Sequence, residues 1–121
     1  MHYKKSTNGI HIHFDTHKFK LDGTSGSLGI AMSLVSLFNN KPIDSSVAFL
    51  GRVDLYGRIN KVNMLREKVI TAYNNNIKML FVPADNKIDE EDIPEFILTS
   101  LNIIYVSSFE EVYHLLIKNK R

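Results

Sequence analysis

The sequence predicts an α/β (α+β) fold in which helices pack on a mixed sheet. Three observations lead to this class: two segments carry apolar residues at helical spacing, several shorter apolar runs are typical of strands, and the two kinds alternate along the chain. The 121 residues are enough for one hydrophobic core and too few for two. Residues 1–121 are therefore expected to form a single domain.

The first elements predicted are a strand, a loop and a helix. Residues 9–14 alternate isoleucine and phenylalanine with histidine, which is the period-two pattern of a strand. Residues 15–24 are polar and include Gly23, so they are expected to form a loop. Residues 28–38 are almost all apolar or small and are followed by two asparagines, which predicts a helix buried on most sides.

The rest of the chain continues the alternation. Gly51 and Gly57 are expected as bends or bulges beside short strands, and the acidic run 89–92 as a solvated helix start. Ser107 and Glu110 have the spacing of a capping box for the last helix. The remaining elements are expected as strands at 46–50, 53–55, 78–82 and 102–106, and as helices at 64–73, near 94–98 and up to about residue 117.

Composition excludes several classes of function. The chain has no cysteine, so disulfides, thiolate metal sites and cysteine nucleophiles are excluded. A net charge of +2 does not favour nucleic-acid binding, which needs a concentrated basic face. No apolar run approaches the roughly 20 residues that span a bilayer, and no secretory signal follows the amino-terminal lysines. We expect neither nucleic acid nor membrane as a partner, and an intracellular, cytoplasmic location, or the mitochondrial matrix if the chain is a fragment.

Two segments contain residues suited to hydrolysis. Ser25 lies in a glycine-bearing loop that leads into a buried helix, where free backbone N–H groups could stabilise an oxyanion. On this segment alone a plain helix N-cap, for which Ser27 or Thr24 would serve equally well, is the better explanation. Lys68 falls in the apolar sector of the second predicted helix, three residues after Leu65. Such a lysine either extends to solvent or, if desolvated, becomes a competent general base. Spacing alone leaves both alternatives open.

The histidines offer a different site. His11 and His13 project from one face of the predicted strand and His17 follows, so a zinc site is an alternative. No carboxylate stands at an obvious metal spacing, and we expect no metal. The phosphate-binding pattern GxxxxGK[ST] is absent, so the chain is not expected to bind ATP by itself.

An ordered set of motifs resembles the proteolytic domain of Lon, the ATP-dependent protease. The strand carrying two histidines, the segment Lys20-Leu-Asp-Gly-Thr-Ser25 and the segment Leu65-Arg-Glu-Lys68 are each similar to the family's motifs, in the same order and without a gap from His11 to Pro83. The 43-residue separation of the family's nucleophile and lysine is kept between Ser25 and Lys68. A frame shifted by two residues, with Ser27 as nucleophile, would break the register at Pro42.

The resemblance implies a role for each matching residue. Ser25 would attack the peptide carbonyl, and Lys68 would take its proton and later activate water. Asp22 would shape the loop, and His11 and His13 would support the site from their strand. Backbone N–H groups around the nucleophile would hold the oxyanion, within the segment that contains Gly23, Thr24 and Gly26.

This sequence also departs from the family pattern. The family's threonine that bonds the catalytic lysine corresponds to Leu50, its following glutamate to Arg52, and its glycine pair before the catalytic helix to Asn63-Met64. The match lacks the family's opening strands and its AAA+ ATPase. ATP is therefore implied only for a full-length family member.

Two functions follow from the resemblance. The first is a Lon-type serine endopeptidase that cleaves unfolded or flexible polypeptides, as a homo-oligomer (a hexameric ring in the family) with a separate ATPase chain as a further partner. The second is a catalytically silent scaffold or oligomerisation module, like the carboxy-terminal domain of the RadA family of DNA-repair ATPases, which Leu50, Arg52 and the missing strands favour.

Overall fold

The structure is a computed structural model that describes residues 2–6, 9–13 and 26–118, with side chains described for 26–117. The strands are β1 His2–Ser6, β2 Gly9–His13, β3 Val47–Phe49, β4 Arg52–Val53, β5 Ile59–Asn60, β6 Met79–Pro83 and β7 Asn102–Val106. The helices are α1 Ser27–Asn39, α2 Leu65–Asn74, a 3₁₀ helix Ala84–Asp92, α3 Glu95–Ser100, α4 Phe109–Tyr113 and a π-helical turn His114–Lys118. The loop predicted at 15–24 lies outside the described residues.

Strand pairing is both parallel and antiparallel. β3, β6 and β7 form a parallel sheet in the order β3-β6-β7, with Phe81 of β6 opposite Phe49 on one side and Ile104 on the other. The pairs β1–β2 and β4–β5 are antiparallel two-stranded sheets. The predicted α/β (α+β) class is confirmed, and its parallel and antiparallel strands are distributed over three sheets.

The parallel sheet has a hydrophobic core on each face. Successive residues of β6 point to opposite faces, so Phe81 packs with α1, α4 and the β4–β5 hairpin, while Leu80 and Val82 pack with α2 and α3. Each fully buried side chain of this size contributes roughly 1.5–3 kcal/mol relative to exposure. Burial on both faces explains why residues 78–82 read as a continuous apolar run rather than an alternating one.

Helix α1 buries one face, not most of its surface. Its buried apolar residues Leu28, Ala31, Met32 and Val35 follow the spacing i, i+3, i+4, i+7. Leu37 on the opposite side is 74% exposed, so the prediction of burial on most sides is wrong for the described chain.

The carboxy-terminal helix is capped one residue later than predicted. Ser108, not Ser107, is the N-cap: its Oγ accepts the N–H of Glu111 at 3.2 Å, and the Glu111 carboxylate accepts the N–H of Ser108 in return. Ser107 is still in extended backbone, since its carbonyl accepts the N–H of Ile59 at 2.9 Å. This tertiary bond keeps Ser107 outside the helix.

Two smaller expectations also change. The strand predicted at 53–55 is β4, which ends at Val53, and Leu55 lies in the turn of the hairpin. The acidic run belongs to the end of the 3₁₀ helix, where Asp89 and Glu90 are half-buried and hydrogen-bonded rather than solvated. Among the described residues, no helix is long and apolar enough to cross a membrane.

Candidate active site

The start of α1 is attached to the carboxyl end of β3. Ser27 is fully buried, and its Oγ accepts the N–H of Val53 at 2.7 Å. The N–H of Leu28 donates to the carbonyl of Gly51 at 3.2 Å. Gly26, the N-cap residue, therefore stands at the edge where β3 ends. Ser25 is covalently attached to Gly26, but its own position lies outside the described residues.

Gly51 is required at this junction. Its φ is +134°, and a Cβ built there would lie 2.7 Å from Cγ2 of Ile59 and 3.2 Å from Cγ of Pro83. An L-residue is strained at such a φ, and the contact with Ile59 is shorter than a methyl group allows. Glycine thus lets the chain pass between the core and the first turn of α1.

Leu50 connects this junction to the other side of the sheet. Its N–H donates to the carbonyl of Phe81 at 2.8 Å, which extends the β3–β6 pairing by one residue. Its side chain packs against the core that contains Leu65 of α2. Adjacent residues of one segment thus contact α1 through the Gly51 carbonyl and the α2 core through the Leu50 side chain.

Lys68 lies in the first turns of α2, at the edge of the apolar face. The neighbouring Leu65 and Val69 are buried, whereas Lys68 is half-buried. Its Nζ donates to the carbonyl of Asn63 at 2.6 Å. Leu50, at the position where the family has a threonine, offers no acceptor in its side chain. The lysine is thus not enclosed in the core, and its bond to the Asn63 carbonyl lies at the exposed surface.

The turn before α2 is strained. Met64 has a φ of +57°, in the left-handed region, and its side chain is 65% exposed. That backbone costs a non-glycine residue about 1–2 kcal/mol. A glycine at this position, as in the family pattern, would adopt it without that cost.

The remaining predicted site residues are only partly described. His11 and His13 lie on β2, which approaches α1, and their side chains are outside the described set. Gly26 is exposed, and a Cβ there would meet no atom of the described residues within 4 Å, so none of these residues requires glycine at this position. The positions that lie outside the described residues are Asp22, Gly23, Thr24, Ser25 and the alternative zinc ligand His17. Among the side chains that are described, no group of three or more could hold a metal ion.

A groove begins at Gly26 and runs between α1 and β3. Its volume is about 450 Å³. Residues lining it are Gly26, Gly29, Ile30, Ser33, Ile43, Asp44, Ser45, Val47 and Phe49. The lining combines apolar side chains with Ser33, Asp44 and Ser45.

The β4–β5 hairpin beside the site is organised by Asp54. Desolvation raises the pKa of the Asp54 carboxyl, but hydrogen bonds from the backbone N–H groups of Arg58 and Tyr56 outweigh it, with help from Asn60 and the charge of Arg58, so the pKa is lowered overall. Asp54 Oδ1 accepts the N–H of Tyr56 at 2.8 Å and that of Arg58 at 3.0 Å. These bonds close the turn that returns the chain toward α2.

Sequence reasoning missed two buried polar residues near the site. Among the described residues, Ser27 and Asn86 are the only polar side chains that are buried. The sequence offers Ser27 as a helix N-cap or as a competing nucleophile; in the structure Gly26 is the N-cap, and the Ser27 hydroxyl accepts the N–H of Val53 instead. Asn86 was not singled out, because its partner Val62 lies 24 residues away and no local pattern links them.

Comparison with known proteins finds Lon proteases. Residues 2–119 match the family of the Lon protease (S16) C-terminal proteolytic domain. A Lon protease of Endomicrobium trichonymphae is 38% identical over 113 residues, which cover 93% of this chain and 14% of that protein. A mitochondrial Lon protease homolog of Caenorhabditis briggsae is 38% identical over 104 residues, 86% of this chain and 11% of that protein.

These matches decide the family. A Lon protease of Wolbachia pipientis is 36% identical over 109 residues, covering 90% of this chain and 13% of the relative. The chain thus spans about an eighth of the length of the curated relatives it matches. The family match extends over nearly all of the chain, and the resemblance drawn from the motifs is confirmed. The chain belongs to the family of Lon protease C-terminal proteolytic domains.

Proposed function

We propose that this chain is a serine endopeptidase domain that hydrolyses peptide bonds of unfolded or flexible polypeptides through Ser25 and Lys68. The family supports a protease in general terms. The assignment of the two residues rests on the motif register and on the contacts around them.

The observation that carries the proposal is the shared segment Leu50-Gly51. Gly51 holds the first turn of α1, two residues after Ser25, and Leu50 packs on the core face of α2, the helix of Lys68. The helix that follows Ser25 and the helix that carries Lys68 are therefore attached to the adjacent residues Gly51 and Leu50. Proton transfer in a Ser/Lys dyad requires hydrogen-bond reach between the two groups. The shared attachment at the carboxyl end of β3 supports such an approach, although α1 and α2 pack on opposite faces of the sheet.

The contacts of Ser27 support Ser25 as the nucleophile. Ser27 is fully buried, and its hydroxyl already accepts the N–H of Val53. A nucleophile has to reach the substrate carbonyl, which a hydroxyl enclosed in the core cannot do. The motif alignment that keeps the 43-residue spacing places the nucleophile at Ser25, and so does not require the buried Ser27 hydroxyl to reach a substrate.

The proposed reaction proceeds in two steps. Ser25 Oγ attacks the peptide carbonyl while the Lys68 amine takes the hydroxyl proton, and the ammonium then gives that proton to the leaving amine. Water, deprotonated by the same lysine, attacks the acyl-enzyme. The lysine ammonium returns that proton to Ser25 Oγ as the ester bond breaks and the acid product leaves. Backbone N–H groups near the start of α1 would stabilise the oxyanion in both steps.

The domain would act without ATP in this form. No phosphate-binding loop is present in the sequence, so we expect turnover of flexible peptides that ATP does not stimulate. Folded substrates would need a separate ATPase chain to unfold them. We further propose a homo-oligomer and an intracellular site of action.

The test is labelling with a fluorophosphonate probe, followed by intact mass. Wild type should gain one probe per chain and Ser25→Ala none. Lys68→Ala should react at least about a hundredfold more slowly, because general-base assistance is lost. Lys78→Ala is the control for charge loss, since Lys78 is an exposed lysine outside the site. Ser27→Ala should lose stability but keep the label. Labelling that persists in Ser25→Ala would contradict the proposal.

A second candidate function is a silent scaffold of the same fold. Leu50 supplies no acceptor for the lysine, and Lys68 bonds instead to the Asn63 carbonyl at 2.6 Å. A folded wild-type protein that forms a stable oligomer and never takes up the probe would favour this function over peptidase activity.

A further inference from the structure

We propose that Asn86 is a positioning residue for Lys68, which it controls through the backbone of residues 62–63. As a statement about catalysis, this inference rests on the proposed function. As a statement about geometry, it rests on the contacts of a fully buried amide that the dyad does not include.

Asn86 binds one backbone residue through both ends of its side chain. Its Oδ1 accepts the N–H of Val62 at 2.9 Å, and its Nδ2 donates to the carbonyl of Val62 at 2.9 Å. Nδ2 also donates to Oδ2 of Asp89 at 3.0 Å. We call the two bonds to Val62 the Asn86–Val62 bridge. The amide is 0% exposed, so its loss would leave buried backbone groups without partners.

The bridge holds the approach to the catalytic helix. Val62 is buried and immediately precedes Asn63, whose carbonyl accepts the Lys68 Nζ. Asp89 reinforces the same stretch, because its Oδ2 also lies 3.9 Å from Nζ of Lys61. The 3₁₀ helix thus fixes the two residues before Asn63 from one side.

Strain at Met64 makes this fixation necessary. The left-handed backbone of Met64 lies between the Asn63 carbonyl and the start of α2 at Leu65. A strained turn persists only where its surroundings hold it, and Met64 itself is largely exposed and packs little. The Asn86–Val62 bridge supplies the buried attachment next to it. Without the bridge the turn relaxes, the Asn63 carbonyl moves, and Lys68 loses its acceptor.

The experiment measures Lys68 directly, in the full chain. An amine-reactive ester is applied for short times, and modification of Lys68 is followed by mass spectrometry relative to the exposed Lys78. Asn86→Leu should raise the Lys68 rate about fivefold, as expected for one lost hydrogen bond, and leave Lys78 unchanged. Asn75→Leu is the matched control, because Asn75 bonds to Thr71 at the far end of the same helix.

A second variant protects the test against misfolding. Asp89 has a side chain that is 32% exposed, so Asp89→Ala leaves no large cavity while removing one acceptor of Asn86. It should raise the Lys68 rate about twofold to threefold. If Lys68 reacts at the wild-type rate in folded Asn86→Leu, or in Asp89→Ala where Asn86→Leu does not fold, the inference is overturned.

The rate of phosphonylation by the fluorophosphonate probe then separates positioning from general damage. Asn86→Leu should slow this labelling between about tenfold and a hundredfold in wild type, and should have no further effect in the Lys68→Ala background. An equal loss in both backgrounds would contradict positioning through Lys68. If wild type is never labelled while Lys68 still becomes more reactive in Asn86→Leu, the proposed function fails and the geometric role of Asn86 stands.

Discussion

One methyl group added at each of three glycines should separate backbone strain from steric clash near the site. Gly26 has a φ of −100°, and a Cβ there meets no atom within 4 Å in the part of the chain that the structure describes. Gly57 has equally open surroundings but a φ of +80°. Gly51 has a φ of +134° and a Cβ position 2.7 Å from Cγ2 of Ile59. Gly26→Ala therefore adds neither backbone strain nor a steric clash. Gly57→Ala adds backbone strain alone, and Gly51→Ala adds both.

The expected losses of unfolding free energy follow from these distances and angles. Gly26→Ala should stay within about 0.5 kcal/mol of wild type. Gly57→Ala should lose about 1–2 kcal/mol, the cost of a left-handed backbone for an L-residue. Gly51→Ala adds about 1–3 kcal/mol of overpacking, about 2–5 kcal/mol in total. That is a large part of the 5–15 kcal/mol typical of a whole domain.

Urea unfolding followed by circular dichroism measures all three variants. With a slope of about 2 kcal/mol per molar urea, the midpoint of Gly51→Ala should fall by about 1–2.5 M, and that of Gly57→Ala by less than about 1 M. The control Gly26→Ala should coincide with wild type. Equal midpoints for Gly51→Ala and Gly57→Ala would refute the steric argument, and a wild-type midpoint for Gly51→Ala would refute the account of the whole junction.

Two further predictions concern the last helix and the hairpin. Ser108→Ala should lower the unfolding free energy by about 1 kcal/mol because it removes the N-cap bond to Glu111. Ser107→Ala should change the unfolding free energy by less than about 0.5 kcal/mol. The reverse order in urea unfolding would favour Ser107 with Glu110 as the capping box. The lowered pKa of Asp54 means that its ionised form adds stability above the ordinary value of 3.8, and that this stability is lost as pH falls through the lower pKa of the folded state. Urea midpoints between pH 6 and 2.5 should therefore fall less steeply in Asp54→Asn than in wild type, and identical slopes would show that Asp54 does not contribute.

Most strands and helices could be predicted because their signals are local. The buried strand at 78–82 and the helix at 64–73 were found close to β6 and α2, since apolar spacing along a few residues reports how many faces are covered. The motif register likewise placed Lys68 in the first turns of α2. These features depend on neighbours within one or two turns of the chain.

The capping error shows where local pattern is ambiguous. Ser107 with Glu110 and Ser108 with Glu111 both have the spacing of a capping box. Bonds from Ile59 to Ser107 and from Phe109 to Gly57 decide between them, because they keep residues 107–109 against the hairpin. Only the contact between distant segments selects the register.

The surroundings of Lys68 depend on tertiary structure in the same way. Its identity and its place on a helix follow from local spacing and from the motif order. Its acceptor, the Asn63 carbonyl, lies only five residues earlier in the chain. The turn that carries this carbonyl is held by the buried amide of Asn86, which is 24 residues from its partner Val62. Local sequence can specify periodicity, caps and residue types, because these are short-range steric and hydrogen-bonding preferences. The partner that satisfies a buried polar group is specified only when the whole core closes around it.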